Sequence, residues 1–176
     1  AYPIKQDPAW QQGDYYQSAE KPTEGLATAM AYVTQDALHP RSFNQKYPSL
    51  VKDKAAAIEI TASFSAWDQL MATARQRSSL QDANHLLYLV RASQLWRAGM
   101  GDNWQHALAK VKAKTLFLPA SGDLLLTADS AIASQKALQA TGNNAQLVEI
   151  QGDFGHLDGL FNISTVGPVI QQFLAK

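Results

Sequence analysis

Two short apolar runs constrain this chain most, because each opens into a loop that carries one ionisable residue. Thr115-Leu116-Phe117-Leu118-Pro119 leads to Ala120-Ser121-Gly122-Asp123, and Leu147-Val148-Glu149-Ile150 leads, past Gly152, to Gly155-His156. Neither run alternates regularly between polar and apolar residues, which is the pattern of strands covered on both faces of a parallel sheet. Asp129 to Ala140, between them, has helical character, and Val166 to Ala175 repeats it after the second run. Strand, helix, strand, helix predicts the closing portion of a mostly parallel α/β sheet. Such sheets bind ligands outside the carboxyl ends of their strands, which is where both loops would stand.

An acid followed by a histidine on two successive strand ends is the order of the last two members of a Ser-Asp-His triad in an α/β-hydrolase. In that role Asp123 would orient the imidazole of His156 and stabilise its charged form. His156 would act first as general base and then as general acid. Each residue taken singly has a plainer reading: an aspartate after glycine commonly caps the next turn, and a loop histidine is commonly a surface residue. Their joint order on matching elements favours the chemistry. No G-x-S-x-G occurs in the 176 residues, so the nucleophile is expected upstream. A chain that opens on Ala1-Tyr2-Pro3-Ile4 is then expected to be the C-terminal portion of such a fold.

Before residue 113 the rhythm is different. Tyr2 and Ile4 read as the end of a buried strand, and Asp7-Pro8 to Gly13-Asp14 as a loop at the carboxyl edge of the sheet. Pro22 to Asp36, Ala62 to Arg77, Leu80 to Arg97 and Asn103 to Lys112 read as helices, with short helices and connections from His39 to Ala57. Helices without strands, set between strand-like segments, predict an inserted helical cap. The expected organisation is therefore a strand end and active-site loop over residues 1–21, a cap over 22–112 and the C-terminal core over 113–176. Aromatic residues from Trp10 to Trp104 concentrate in the first two parts, where they serve core packing or line a substrate tunnel. Asn84 and Arg91 either face that pocket or belong to a solvated helix face.

Composition excludes several classes of function. Fifteen basic residues balance fifteen acidic ones, so the chain lacks the basic footprint of a nucleic-acid binder. No apolar stretch approaches the roughly 20 residues that span a bilayer. There is no cysteine, which removes disulfides, thiolate metal sites and a cysteine nucleophile from this segment while leaving the compartment open. His39, His85 and His106 lie on separate segments and read as structural or solvated, with no ligand pair at helical spacing, so no metal is expected. Gly99-Met100-Gly101 lacks the further glycine and the preceding strand of a dinucleotide loop, and no bound cofactor is expected.

Several strings together resemble the homoserine O-acetyltransferase family: Asp7-Pro8-Ala9-Trp10 with Gly13-Asp14-Tyr15, Gly25-Leu26, Asp82-Ala83-Asn84-His85-Leu86-Leu87-Tyr88-Leu89, Gly122-Asp123-Leu124-Leu125, and Gly155-His156 with Asp158-Gly159. The resemblance implies an α/β-hydrolase fold with a helical cap and a cytoplasmic enzyme, although the residues leave a periplasmic or secreted one equally open. It further implies an upstream serine that takes an acyl group from acetyl-CoA and passes it to a hydroxyl, with Asp123 as triad acid and His156 as triad base. The expected partners are the N-terminal part of the same protein, a small ester or acyl acceptor, and a second copy through the cap. Three departures concern the acceptor. Leu157 stands where the family places an aspartate after the histidine, with Asp158 one position later, while Met30 and Ala37 stand where many members carry an arginine and a tyrosine. A pocket without charged partners loses a charged ligand by orders of magnitude. An esterase, or an acyltransferase acting on a less polar acceptor than homoserine, is expected. The alternatives are an inactive binding or dimerising module and a relative with a nucleophile other than serine.

Overall fold

A computed structural model describes residues 1–48, 58–97 and 103–175. Helices α1 (Tyr2–Gln6), α2 (Thr23–Ala37), α3 (Pro40–Lys46), α4 (Ser65–Ser78), α5 (Ala83–Leu95) and α6 (Trp104–Leu108) precede strand β1 (Thr115–Phe117). Helix α7 (Ala128–Gln139), strand β2 (Ala145–Leu147), helix α8 (Asp158–Phe161) and helix α9 (Gly167–Ala175) follow it. Chain contacts divide these into two units, Ala1–Gln35 with Phe43–Leu95, and Asp36–Ser42 with Trp96–Lys176.

The first unit is helical. Leu26, Ala27, Met30, Ala31 and Thr34 form the buried face of α2, an apolar stripe at helical spacing on an alanine-rich segment that favours helix intrinsically. On α4, Ala66, Leu70, Met71 and Ala74 are buried at the same period. Helix α1 replaces the strand end expected at Tyr2 to Ile4. Pro3 sits in its first turn, where a proline costs no hydrogen bond, and Ile4 is fully buried. A short apolar run of this kind does not distinguish a strand from a helical turn. Gly25 shows how tightly α1 meets α2: a Cβ there would lie 2.7 Å from Pro3 O and 2.8 Å from Asp7 Cβ.

The second unit carries the sheet. β1 and β2 run parallel with Thr115 opposite Ala145, Leu116 opposite Gln146 and Phe117 opposite Leu147. Helix α7 is the crossover that parallel pairing demands. β1 stops two residues and β2 three residues short of the expected ends, yet the pairing continues: Val148 N–H donates to Phe117 O at 3.0 Å, Ile150 N–H to Pro119 O at 2.8 Å and Ser121 N–H to Ile150 O at 3.0 Å. Pro119 has no N–H to give, which interrupts the regular ladder while its carbonyl still accepts. The consequence is positional. Ala120 bridges Ile150 in parallel, so the two loops leave the sheet side by side at the carboxyl end. The triplet Gly99-Met100-Gly101 lies outside the described residues.

Candidate functional site

The two loops bring Asp123 and His156 together. Asp123 Oδ2 lies 2.8 Å from His156 Nδ1. Its other oxygen, Oδ1, accepts the backbone N–H groups of Leu125 at 2.8 Å and Leu126 at 2.9 Å. The plainer role of a turn cap and the role of histidine partner therefore coexist in one carboxylate, one oxygen for each. The three leucines after Asp123 turn their side chains outward, all of them exposed. That outward turn leaves their amides free to tie the acid down.

Burial and hydrogen bonding act on Asp123 in opposite directions. Its side chain is 6% exposed against 39% for His156. Burial alone raises its pKa, but the Leu126 N–H, the His156 ring and the Leu125 N–H outweigh it and hold the carboxyl below the ordinary value of 3.8. Asp123 is thus an anion under ordinary conditions, and an anion facing Nδ1 assigns the imidazole proton to that nitrogen. Among the described residues Nε2 of His156 has no hydrogen-bond partner, so its lone pair is available to a proton donor. The pair borders a cavity of about 440 Å3 together with Phe117, Ala120, Leu126 and Thr127.

Asp158, one position beyond the place where the resemblance puts an aspartate, does not face outward. It is fully buried. Its Oδ2 accepts Phe154 N–H at 3.1 Å and its Oδ1 accepts Asn162 Nδ2 at 2.6 Å. Both oxygens are spent within the loop that carries His156, and Leu157 leaves the intervening position apolar.

The remaining candidates are placed separately. His39 is partly buried in the second unit and its Nδ1 accepts Arg41 N–H at 3.2 Å. His85 and His106 are exposed. No group of three or more His, Cys, Asp or Glu side chains suited to a metal ion occurs among the described residues. In the first unit, Asn84 and Arg91 border a cleft of about 700 Å3 with Trp10 and Tyr88. Asn84 is not free there: its Oδ1 accepts Trp10 Nε1–H at 2.9 Å and its Nδ2 donates to Gly13 O at 2.8 Å. The sequence reading missed the polar cluster beside it. Tyr15 Oη donates to Asp82 Oδ2 at 2.5 Å and Tyr16 Oη to Asp82 Oδ1 at 3.2 Å. The one local signal was an aspartate just ahead of α5, a position that favours helix capping.

No family model matches the chain. Among curated proteins it is 25% identical to the homoserine O-acetyltransferase of Deferribacter desulfuricans, over 99% of this chain and 46% of that protein. It is 26% identical to the homoserine O-acetyltransferase of Methanococcus vannielii, over 98% of this chain and 35% of that one. Among solved structures it superposes on esterase E22 with a TM-score of 0.91 at 40% identity, covering 99% of this chain and 48% of that one. It superposes on the homoserine O-acetyltransferase of Bacillus anthracis with a TM-score of 0.92 at 26% identity, covering 99% and 47%. The chain spans half or less of the length of the proteins it matches. Its fold is that of the α/β-hydrolases, represented by the part that bears the acid and histidine loops. Within that class the chain is homoserine O-acetyltransferase-like, as its sequence strings imply.

Proposed function

We propose that this chain supplies the acid and the base of a Ser-Asp-His triad to a serine-dependent esterase or acyltransferase. The observation that carries the reading is the 2.8 Å Asp123–His156 hydrogen bond, made by a buried anion to Nδ1 with Nε2 left unpartnered among the described residues. Asp123 holds the ring in the tautomer whose Nε2 accepts a proton. Nε2 takes the proton of the serine hydroxyl as Oγ forms its bond to the ester carbonyl carbon. It then returns that proton to the leaving oxygen as the carbonyl–oxygen bond breaks. A second hydroxyl, of water or of an acceptor alcohol, gives its proton to Nε2 as its oxygen bonds to the acyl carbon, and Nε2 passes that proton to Oγ as the acyl–serine bond breaks. The serine and the strands that carry it come from an N-terminal part of the same protein. Within the described residues β1 has one paired edge in a two-stranded sheet, which leaves its other edge for such a strand.

The acceptor side favours an ester or a weakly polar alcohol over homoserine. Leu157 offers no charge to an amine, and the Asp158 carboxylate is fully buried with both oxygens occupied. Esterase E22 shares 40% identity with the chain against 26% for the Bacillus anthracis acetyltransferase. Acetyl-CoA remains an acyl donor of this reading, since the curated relatives are acetyltransferases.

A fluorophosphonate probe applied to the full-length protein tests the reading, alongside turnover of p-nitrophenyl acetate and of acetyl-CoA with homoserine. Labelling of one serine, lost in His156→Ala, with ester turnover exceeding homoserine acetylation is the expected result. A protein that neither labels nor turns over either substrate refutes the proposal.

A further inference from the structure

Residues 36–42 sit among helices in the sequence, yet they cluster with the unit that carries the sheet. Two glycines show what they do there. Gly155, immediately before His156, has φ +67°, a left-handed conformation that glycine adopts without steric cost. A Cβ on it would lie 2.7 Å from His39 N, 3.0 Å from Ala37 O and 3.3 Å from Gly122 O. Gly122, immediately before Asp123, meets the same place from the other loop: a Cβ there would lie 3.2 Å from His39 Cδ2 and 3.8 Å from Gly155 Cα. The acid loop and the base loop therefore touch backbone to backbone through two positions without side chains, and the ring of His39 packs against that joint.

Three contacts hold the strap in place. His39 Nδ1 accepts Arg41 N–H at 3.2 Å, which orients the ring at the head of α3. Arg41 Nη1 pairs with Asp153 Oδ1 at 2.9 Å, and Ser42 Oγ donates to Asp153 O. Among the described residues the last sheet hydrogen bond between the two strand ends is Ser121 N–H to Ile150 O. Past it, the two loops meet at the Gly122–Gly155 joint beside His39 and at the Asp123–His156 bond.

We propose that His39 is a positioning residue whose ring sets the separation of the Gly122 and Gly155 loops and thereby the Asp123–His156 hydrogen bond. The proposal rests on the reading of that pair as catalytic. It assigns a role to a residue that touches neither substrate nor the reacting atoms, and that the sequence presents only as a histidine before a proline.

Two substitutions in the full-length protein separate the ring from the cap. His39→Asn keeps an acceptor for Arg41 N–H and removes the ring, whereas His39→Phe keeps a ring and removes the acceptor. His39→Asn is expected to lower kcat on p-nitrophenyl acetate by about 10- to 100-fold with KM unchanged, since small misplacements of a reacting group cost that much. It is also expected to shift or broaden the low-field Nδ1–H proton resonance of His156. His39→Phe is expected to stay close to wild type in both. Wild-type kcat and an unmoved resonance in His39→Asn overturn the proposal. A loss in His39→Phe that His39→Asn does not share also overturns it, by reducing His39 to a helix cap, and equal losses in the two variants overturn it by showing that a ring alone does not set the spacing. The resonance is read without turnover. A wild-type protein inert to the fluorophosphonate and to esters refutes the functional reading, while comparison of its His156 resonance with that of His39→Asn still decides the positioning role.

Discussion

Asp82 in the helical unit and Asp123 in the sheet unit are wired alike and hold different partners. Each gives one oxygen to the backbone N–H groups of the turn that follows it, His85 for Asp82 and Leu125 with Leu126 for Asp123. Each gives the other to a side chain distant in sequence, Tyr15 or His156. Burial pushes both carboxyls up and hydrogen bonding more than compensates, so both titrate below 3.8. The partners make the difference. Tyr15 is pushed up to about 12, first by its own burial and then by the bond to Asp82, so it remains a fixed donor. His156 presents a second nitrogen that the pair leaves open, and imidazole is the side chain suited to moving protons near neutral pH. One wiring plan makes a clamp where the partner has a single proton to give, and, on the proposed function, an acid–base pair where it has a second site.

The widest separation between the two aspartates is expected in turnover. Asp123→Asn in the full-length protein removes the charge that fixes the imidazole tautomer and should lower kcat by about 10^4-fold, with only a modest fall in the unfolding midpoint from the lost carboxylate contribution, as read by steady-state kinetics beside calorimetry. Asp82→Asn should do the reverse. The loss of a tight, partly buried hydrogen bond costs about 1–3 kcal/mol of stability, with kcat nearly intact; a collapse of kcat matching that of Asp123→Asn would end the distinction. The pH dependence of unfolding comes next in size. A raised folded pKa on Tyr15 means that its stabilisation is complete below pH 10.0 and is lost as pH rises toward about 12. Tyr15→Phe should flatten that alkaline limb. The depressed carboxyls contribute above 3.8 and lose their contribution as pH falls through their lower folded values. Asp82→Asn and Asp123→Asn should each weaken the acid limb. Smallest of all is the Arg75–Glu24 pair, at 2.8 Å with both side chains more than half exposed. Arg75→Ala should leave the denaturation midpoint nearly where it was, because exposed ion pairs contribute little.

The acid–histidine pair was legible because its evidence is local. Each residue follows an apolar run, and parallel pairing of two such runs puts their ends together, as the Ala120–Ile150 bridge does. Tyr2 to Ile4 was not legible: a few apolar residues fit a strand or one turn of helix, and the contact that decides the matter, Gly25 against Pro3, joins distant positions. Asp158 was visible as a misplaced family aspartate. Only its bonds to Phe154 and Asn162 show that it closes its own loop. The Tyr15–Asp82 bond spans 67 residues and leaves no periodic trace.

By itself the sequence determined the alternation of strand and helix after residue 113, the acid and the histidine at the strand ends, and the absence of a charge beside that histidine. These follow from periodicity and from residue type, which act within a few positions of the chain. Tertiary structure alone decided which polar groups meet, that Asp158 faces inward, and that residues 36–42 join the sheet unit to brace both loops. Such pairings depend on where separate elements come to rest, and a hydrogen bond or a close glycine contact is set by tenths of an ångström that no local pattern encodes.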